Sequence, residues 1–332
     1  MKPPEFWNHA EGRDGAPVLR TLLSPLGWAY GALTRRRIRR AEPFDAGVPV
    51  VCVGNATVGG TGKTPVALYL LHSLRRLGIE THALSRGHGG VERGPVEVTH
   101  NHSALEVGDE PLLLATAAPT WVSRDRASGA RVAVAHGAKA IVLDDGHQNP
   151  DLHKTLSLLV VDAETGFGNG RILPAGPLRE RVTDALARAD ATILMMPGPD
   201  YDPAPELVAQ LGDLPVIPAW LSATAAAPPG PLHAFAGIGR PDKFFDTVRR
   251  IGGTVVEQTA FADHHRYRPE ELATLALMAR ERGATLITTD KDYVRLPTGF
   301  RRAVHRLPVE VQFGDELTLR ALLHPVIEKA RR

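Results

Sequence analysis

Gly59-Gly60-Thr61-Gly62-Lys63-Thr64 follows closely on the apolar run Val48-Pro49-Val50-Val51-Cys52-Val53. A strand that runs into a glycine-rich turn, with Lys-Thr opening a helix, is an arrangement for phosphate. The glycines let backbone N–H groups turn inward onto anionic oxygens, with no Cβ in the way. The helix N-terminus adds partial positive charge. Lys63 would reach the β- and γ-phosphates of a nucleotide, and the Thr64 hydroxyl would ligate Mg²⁺. The candidate nucleotide-binding set is Thr57, Val58, Gly59, Gly60, Thr61, Gly62, Lys63 and Thr64. Thr57 stands where the pattern G-x-x-x-x-G-K-[ST] has its first glycine, and Val58 stands where the K-G-G-x-G-K-[ST] variant carries its signature lysine.

Other residues complement that loop. Lys139-Ala-Ile-Val-Leu-Asp144-Asp145 is an apolar strand ending in two carboxylates, suited to hold Mg²⁺ or its waters beside a phosphate loop. Asp109, in Gly108-Asp109-Glu110-Pro111, reads two ways. It precedes an apolar helix as an N-cap would, and it is a carboxylate able to orient an acceptor hydroxyl. Asp263-His264-His265-Arg266-Tyr267 is either a hydrogen-bonded loop or the source of a histidine that pairs with such a base. Arginines recur in the loops Ser85-Arg86-Gly87, Ser123-Arg124-Asp125-Arg126 and Leu173–Glu180, where guanidinium forks suit phosphate. Thr288-Thr289-Asp290-Lys291-Asp292 ends a later strand.

The elements that must position these groups alternate. Strands are expected at 48–54, 80–84, 139–144, 156–162 and 191–196, with helices at 64–77, 110–118, 125–136 and 182–189 between them. Continuous apolar runs indicate a mostly parallel sheet covered on both faces, hence a doubly wound α/β fold. Prolines crowd 197–231, which reads as a linker. A smaller α/β unit follows, with strands near 232–238, 254–261 and 285–289 and helices near 241–251 and 269–282. A strand at 307–313 and a helix at 315–330 are expected to return to the first unit. The expected division is 1–45, an N-terminal helical segment; 46–218, the phosphate-loop domain; 219–306, the smaller domain; and 307–332, the returning strand and helix.

The 332 residues, 43% of them hydrophobic, can build such a core. The single cysteine, Cys52, excludes a disulfide framework and fits a reducing compartment. A net charge of +2 gives no global argument for nucleic acid, and no obligate protein partner is expected. The charge is uneven, however: residues 1–40 carry eight basic side chains against three acidic ones. The uncharged stretch 21–34, with Trp28 and Tyr30, abuts Arg35, Arg36, Arg37, Arg39 and Arg40. It is too short to span a bilayer, and the charge follows the apolar run instead of preceding it as in a signal peptide. Either the segment lies on an anionic membrane surface, or it packs on the core with a solvated basic end.

Taken together, Val53–Pro65, Leu84–Gly87, Gly108–Pro111, Asp144–Gly146, Leu173–Glu180, Phe261–His265 and Thr289–Asp292 closely resemble the tetraacyldisaccharide 4′-kinase (lipid A 4′-kinase) family. The resemblance implies transfer of the γ-phosphate of ATP, with Mg²⁺, to the 4′-hydroxyl of an acylated glucosamine disaccharide 1-phosphate lipid. It implies a peripheral enzyme at the cytoplasmic face of a bacterial inner membrane, with its site between two α/β domains. It implies that Asp109 is the catalytic base paired with His264, and that Lys63 serves catalysis. Thr64, Asp144, Asp145 and Glu180 are then expected around the metal, and Arg86, Arg124, Gln148 and Arg179 around the substrate. His147 and Asn149 depart from the family, which commonly has an aromatic residue and a histidine there, and Asp290 stands where a glutamate is frequent. The rivals are a phosphate-loop ATPase that transfers only to water and a soluble small-molecule kinase.

Overall fold

The computed structural model describes residues 4–7 and 15–332; residues 1–3 and 8–14 of the expected N-terminal segment lie outside the described residues. Its strands are β1 (Val50–Gly54), β2 (Thr81–Ser85), β3 (Val96–Glu97), β4 (Thr120–Val122), β5 (Ala140–Asp144), β6 (Leu156–Asp162), β7 (Ala191–Met196), β8 (Val216–Ala223), β9 (Pro231–Ala236), β10 (Thr254–Ala260), β11 (Thr285–Thr289), β12 (Val304–Leu307) and β13 (Val309–Phe313). They form a nine-stranded sheet in the order β13, β8, β7, β6, β1, β5, β2, β4, β3 and a four-stranded sheet in the order β10, β9, β11, β12. The large sheet is parallel except at its ends, where β13 and β3 pair antiparallel. The small sheet is parallel throughout.

The central strands read as continuous apolar runs because both of their faces are covered. Val51 and Val53 join Val66, Leu70, Leu71 and Leu74 of α2 (Lys63–Arg76), while Val50 and Cys52 join Ile141 and Leu143 on the opposite face. Truncating a fully buried leucine such as Leu70 would cost ~2–5 kcal/mol. β1 lies between β6 and β5. The turn after β1 therefore comes beside the end of β5, where Val53 is in register with Asp144.

The proline-rich stretch is more ordered than a linker. It contains the helix Pro205–Leu211 and all of β8, which runs across the expected boundary at 218/219. Pro218 is tolerated there because pairing with β13 begins at Ala219, so its missing N–H takes no bond from that ladder. The expected strand 307–313 is two strands. β12 completes the small sheet, and β13 crosses back to β8.

The helix α1 (Pro17–Arg40) does not bury an apolar stripe. Leu22, Leu26, Trp28 and Leu33 are exposed, and the buried positions are Gly27 and Gly31. A Cβ at Gly27 would lie 2.7 Å from the Ile172 carbonyl oxygen, so the glycines permit a close backbone approach. Arg35 pairs with Asp184 at 2.9 Å, and Arg37 donates to the Gln148 carbonyl at 3.0 Å. The alternative of an apolar face packed on the core is thus not realised. No described helix is long and apolar enough to cross a membrane.

Candidate active site

A cleft of about 1720 Å³ opens between the two sheets, and Val58 to Thr64 line one wall. Lys63 begins α2, as the Lys-Thr spacing predicts. Gly62 holds φ +89° at the N-cap, a backbone angle that strains any side chain with a Cβ. The loop is tied down at both ends. Val58 N–H donates to the Pro177 carbonyl at 2.8 Å, and the Asn55 amide donates to Thr61 Oγ1 at 3.2 Å. Thr57 is buried and does not line the cleft; it bridges to Leu178 instead.

The two aspartates after β5 have opposite electrostatics. Asp145, at φ +50°, lies 3.7 Å from Lys63 Nζ and accepts from Arg179 at 3.0 Å. Burial raises its carboxyl, but Lys63 and Arg179 outweigh that and hold it at about 2. Asp144 is 2% exposed, and its Oδ1 is buried without a hydrogen-bond partner. Burial first, and the charge on Asp145 second, push it up to about 7. An orphaned carboxylate oxygen on a residue that lines the same cleft as the phosphate loop and Thr64 suits a hard divalent cation. Gly54 makes the approach of this turn feasible, since a Cβ there would come within 2.5 Å of the His147 Cβ.

The opposite wall centres on Asp109. It occupies the first turn of the helix Asp109–Leu114, Gly108 is the N-cap, and no side-chain cap bond forms. Asp109 is buried and reaches across the cleft to the second sheet's side. His264 Nδ1 lies 3.1 Å from its Oδ1 and 3.0 Å from its Oδ2. Lys291 Nζ donates to His264 Nε2 at 3.1 Å, so Nε2 is the acceptor nitrogen and Nδ1 carries the proton directed at Asp109. Arg295 donates to Asp109 Oδ2 from Nε at 2.7 Å and also from Nη2. Burial raises the Asp109 carboxyl, but the His264 hydrogen bond and the Arg295 and Lys291 charges overcome it and hold it below the usual carboxylate range. His264 sits at φ +55°, uncommon for a non-glycine residue and a frequent mark of a functional position. Glu110 accepts from Lys291 at 2.8 Å. Asp109, Glu110 and His264 offer ligand atoms within 4.8 Å of one another, but Lys291 and Arg295 already supply the neutralising charge among them.

The other expected site residues divide. Arg86, Gln148 and Arg179 line the cleft, and Gln148 also bridges the Asn55 carbonyl at 2.7 Å to Glu180 at 2.9 Å. Glu180, expected at the metal, does not line the cleft; Arg188 grips both of its oxygens at 2.6 Å. Arg124 also lies outside the cleft lining. Its neighbour Arg126 is 3% exposed and is pushed down to about 10, chiefly by burial and by Arg86, with Asp145 and Asp144 opposing. His147 is a buried structural residue, hydrogen-bonded to Ser157 Oγ at 3.2 Å and the Ala185 carbonyl at 2.9 Å. Asn149 and Asp151 bond one another. Asp290 pairs with Arg306 and accepts from the Val309 N–H, at the crossing into β13, and does not line the cleft.

Sequence reasoning missed Arg295 and passed over the role of Asp292. Asp292 is fully buried and accepts from Tyr267 at 2.8 Å, Thr289 at 2.7 Å, the Gly237 N–H at 3.0 Å and Arg295 at 3.0 Å. It fixes the guanidinium that clamps Asp109. The available signal was the i, i+3 spacing of Asp292 and Arg295 on one helical turn, which marks a pair but no site.

Comparisons with known proteins identify the family. The sequence model of the family described as LpxK, tetraacyldisaccharide-1-P 4′-kinase, matches residues 19–328. The tetraacyldisaccharide 4′-kinase of Hyphomonas neptunium is 48% identical, covering 99% of each chain. That of Rhodospirillum centenum is 50% identical, covering 98% of this chain and 97% of the other. Among solved structures, the "apo" form of LpxK from Aquifex aeolicus in complex with ATP superposes with a TM-score of 0.72 at 26% identity, covering 93% of this chain and 99% of that one. The chain belongs to the tetraacyldisaccharide-1-P 4′-kinase family.

Proposed function

We propose that this chain moves the γ-phosphate of ATP to the 4′-hydroxyl of a tetraacyl glucosamine disaccharide 1-phosphate, producing the lipid A precursor. The observation that carries the reading is the cross-cleft juxtaposition of a phosphate loop with a buried, ionised Asp109 held by His264 and Arg295. Lys63 and the loop N–H groups neutralise the β- and γ-phosphates. Asp109 accepts a hydrogen bond from the sugar hydroxyl and directs its oxygen at the γ-phosphorus. Its low basicity suits this reaction, because phosphoryl transfer passes through a loose transition state in which orientation outweighs proton abstraction. The hydroxyl proton passes to Asp109 as the bond to phosphorus forms, and His264, its Nδ1–H directed at that carboxylate, holds Asp109 in position.

Mg²⁺ fits the residues present: Asp144 with its unpartnered oxygen, Asp145 and the Thr64 hydroxyl would hold it. When bound, it neutralises charge developing on the phosphate oxygens. We take the two α/β units as domains that share the site. The exposed Leu22, Leu26, Trp28 and Leu33 of α1, beside its arginines, support peripheral contact with the cytoplasmic face of the inner membrane.

The deciding assay uses γ-labelled ATP, Mg²⁺ and the disaccharide 1-phosphate lipid dispersed in detergent. Label is expected in the lipid. Label released only as inorganic phosphate, at one rate with or without lipid, would make the protein an ATPase.

A further inference from the structure

The C-terminal half of α1 divides two cavities. Tyr30, Thr34 and Arg37 form a stripe at i, i+4, i+7 that faces the catalytic cleft. On another side, α1 and the segment 172–181 enclose a separate cavity of about 320 Å³. Trp28 and Ile172 give it an apolar wall, and Arg36, Arg39, Arg40 and Arg181 give it cationic ones. Arg35 also borders it, but Asp184 occupies that guanidinium. Among the described residues, no acidic side chain lines the cavity. Among the described residues, Arg36, Arg39, Arg40 and Arg181 form no ion pair. Four guanidinium groups around one concavity, without a carboxylate among them, are arranged for an anion with several oxygens. Trp28, 68% exposed at the rim, is the residue type that sits at the level of lipid headgroups.

We propose that this cavity is a binding site for the phosphate headgroup of an anionic membrane phospholipid, distinct from the catalytic cleft. The phospholipid is favoured over the acceptor's own phosphate because α1 itself stands between the cavity and the cleft, and because the exposed Trp28 of α1 borders the rim. Arg181 distinguishes a site from diffuse attraction. It is contributed by the loop after Glu180 and not by the basic helix, so a merely cationic helix has no use for it. The proposal rests on the membrane-contact reading of α1 and adds to it a defined lipid chemistry.

The test is flotation of the full chain on phosphatidylcholine vesicles with and without phosphatidylglycerol. Wild type is expected to bind more tightly when phosphatidylglycerol is present. R181Q should lose ~5-fold of that increment and R36Q/R39Q ~25-fold, the effect of one and two basic groups at an anionic surface. Ala32→Phe fills the cavity without changing charge and should also lose the increment, with residual binding to pure phosphatidylcholine retained. Wild-type phosphatidylglycerol dependence in both R181Q and Ala32→Phe would overturn the site, leaving only diffuse attraction. So would a raised KM for the acceptor lipid in neutral detergent for these two variants, which would assign the cavity to the acceptor's own phosphate. Wild-type phosphotransfer in that detergent reads the kinase assignment separately, so either can fail alone.

Discussion

The two walls of the cleft are built on different plans. The phosphate wall comes from one sheet, where β1 and β5 are direct neighbours and Lys63, Asp144 and Asp145 are carried at their adjoining ends. The opposite wall is assembled across the two sheets, from Asp109 on one side and His264 and Arg295, 155 and 186 residues further on, from the other. A wall within one rigid sheet is preorganised wherever the sheet is folded. A wall split across the cleft exists only when the two units meet, and here cations draw them together: Arg295 and Lys291 to Asp109 and Glu110 on one flank, Arg240 and Lys243 to Asp162 and Glu164 on the other. Nucleotide affinity should therefore survive damage to the split wall, while turnover should not.

The largest effect is expected on the phosphate wall. Lys63→Ala removes the side chain proposed to meet the β- and γ-phosphates, and kcat/KM for ATP should fall about 10³-fold. Next is Asp109→Ala, with turnover at least ~100-fold lower and nucleotide affinity near normal, measured by equilibrium binding beside steady-state kinetics. A variant that lost both equally would break the separation between the walls.

How legible each wall was follows from the same difference. Lys63, Thr64 and the Asp144-Asp145 pair stand in local motifs, because strand, turn and helix are consecutive and each residue's place in the cleft is fixed by its neighbours in sequence. β8 was misread because Pro215 and Pro218 signal a breaker, and the strand there is made by pairing with β7 on one side and, on the other, with β13, contributed by a segment some ninety residues later. The same distance hid Arg295, whose partner Asp109 is remote. Glu180 is expected at the metal from the family resemblance and Arg124 at the substrate as a loop arginine; the turn at Glu180 instead aims its carboxylate back at Arg188, and Arg124 lies outside the cleft lining. The burial of Arg126 in place of Arg124 likewise depends on which way a short loop turns, and composition does not encode that.

His147 allows a test of the scaffold behind the phosphate wall. Burial above all lowers its ring to about 3, from an ordinary value of 6.5. The unfolded chain takes up a proton below 6.5 that the folded ring refuses. The associated stability is therefore complete above that pH and declines as pH falls towards 3. At pH 5 the loss is about 2 kcal/mol, roughly 30-fold in the folding equilibrium. His147→Phe removes the ring's hydrogen bonds to Ser157 Oγ and the Ala185 carbonyl, at a cost of ~1–3 kcal/mol at neutral pH. It should nevertheless flatten the loss of thermal midpoint between pH 7 and pH 5. An unchanged slope would mean that other groups set the acid sensitivity.

The smallest and most informative change is Arg295→Lys. Lysine keeps the charge but not the fork that donates to Asp109 from two nitrogens while Asp292 holds a third. Turnover should fall about 10-fold, the cost of one charge-assisted hydrogen bond in a positioned pair. If the guanidinium acts only as scaffold, kcat drops evenly at every pH. If it also keeps Asp109 ionised, the carboxyl moves up when the clamp loosens, because burial is the largest opposing influence on it. The sign follows: the acceptor form of Asp109 is then lost as pH falls, and an acidic limb appears in the kcat profile where wild type is flat. KM for ATP should not move, since Arg295 belongs to the split wall, and a parallel rise in that KM would show the two walls to be coupled through domain closure.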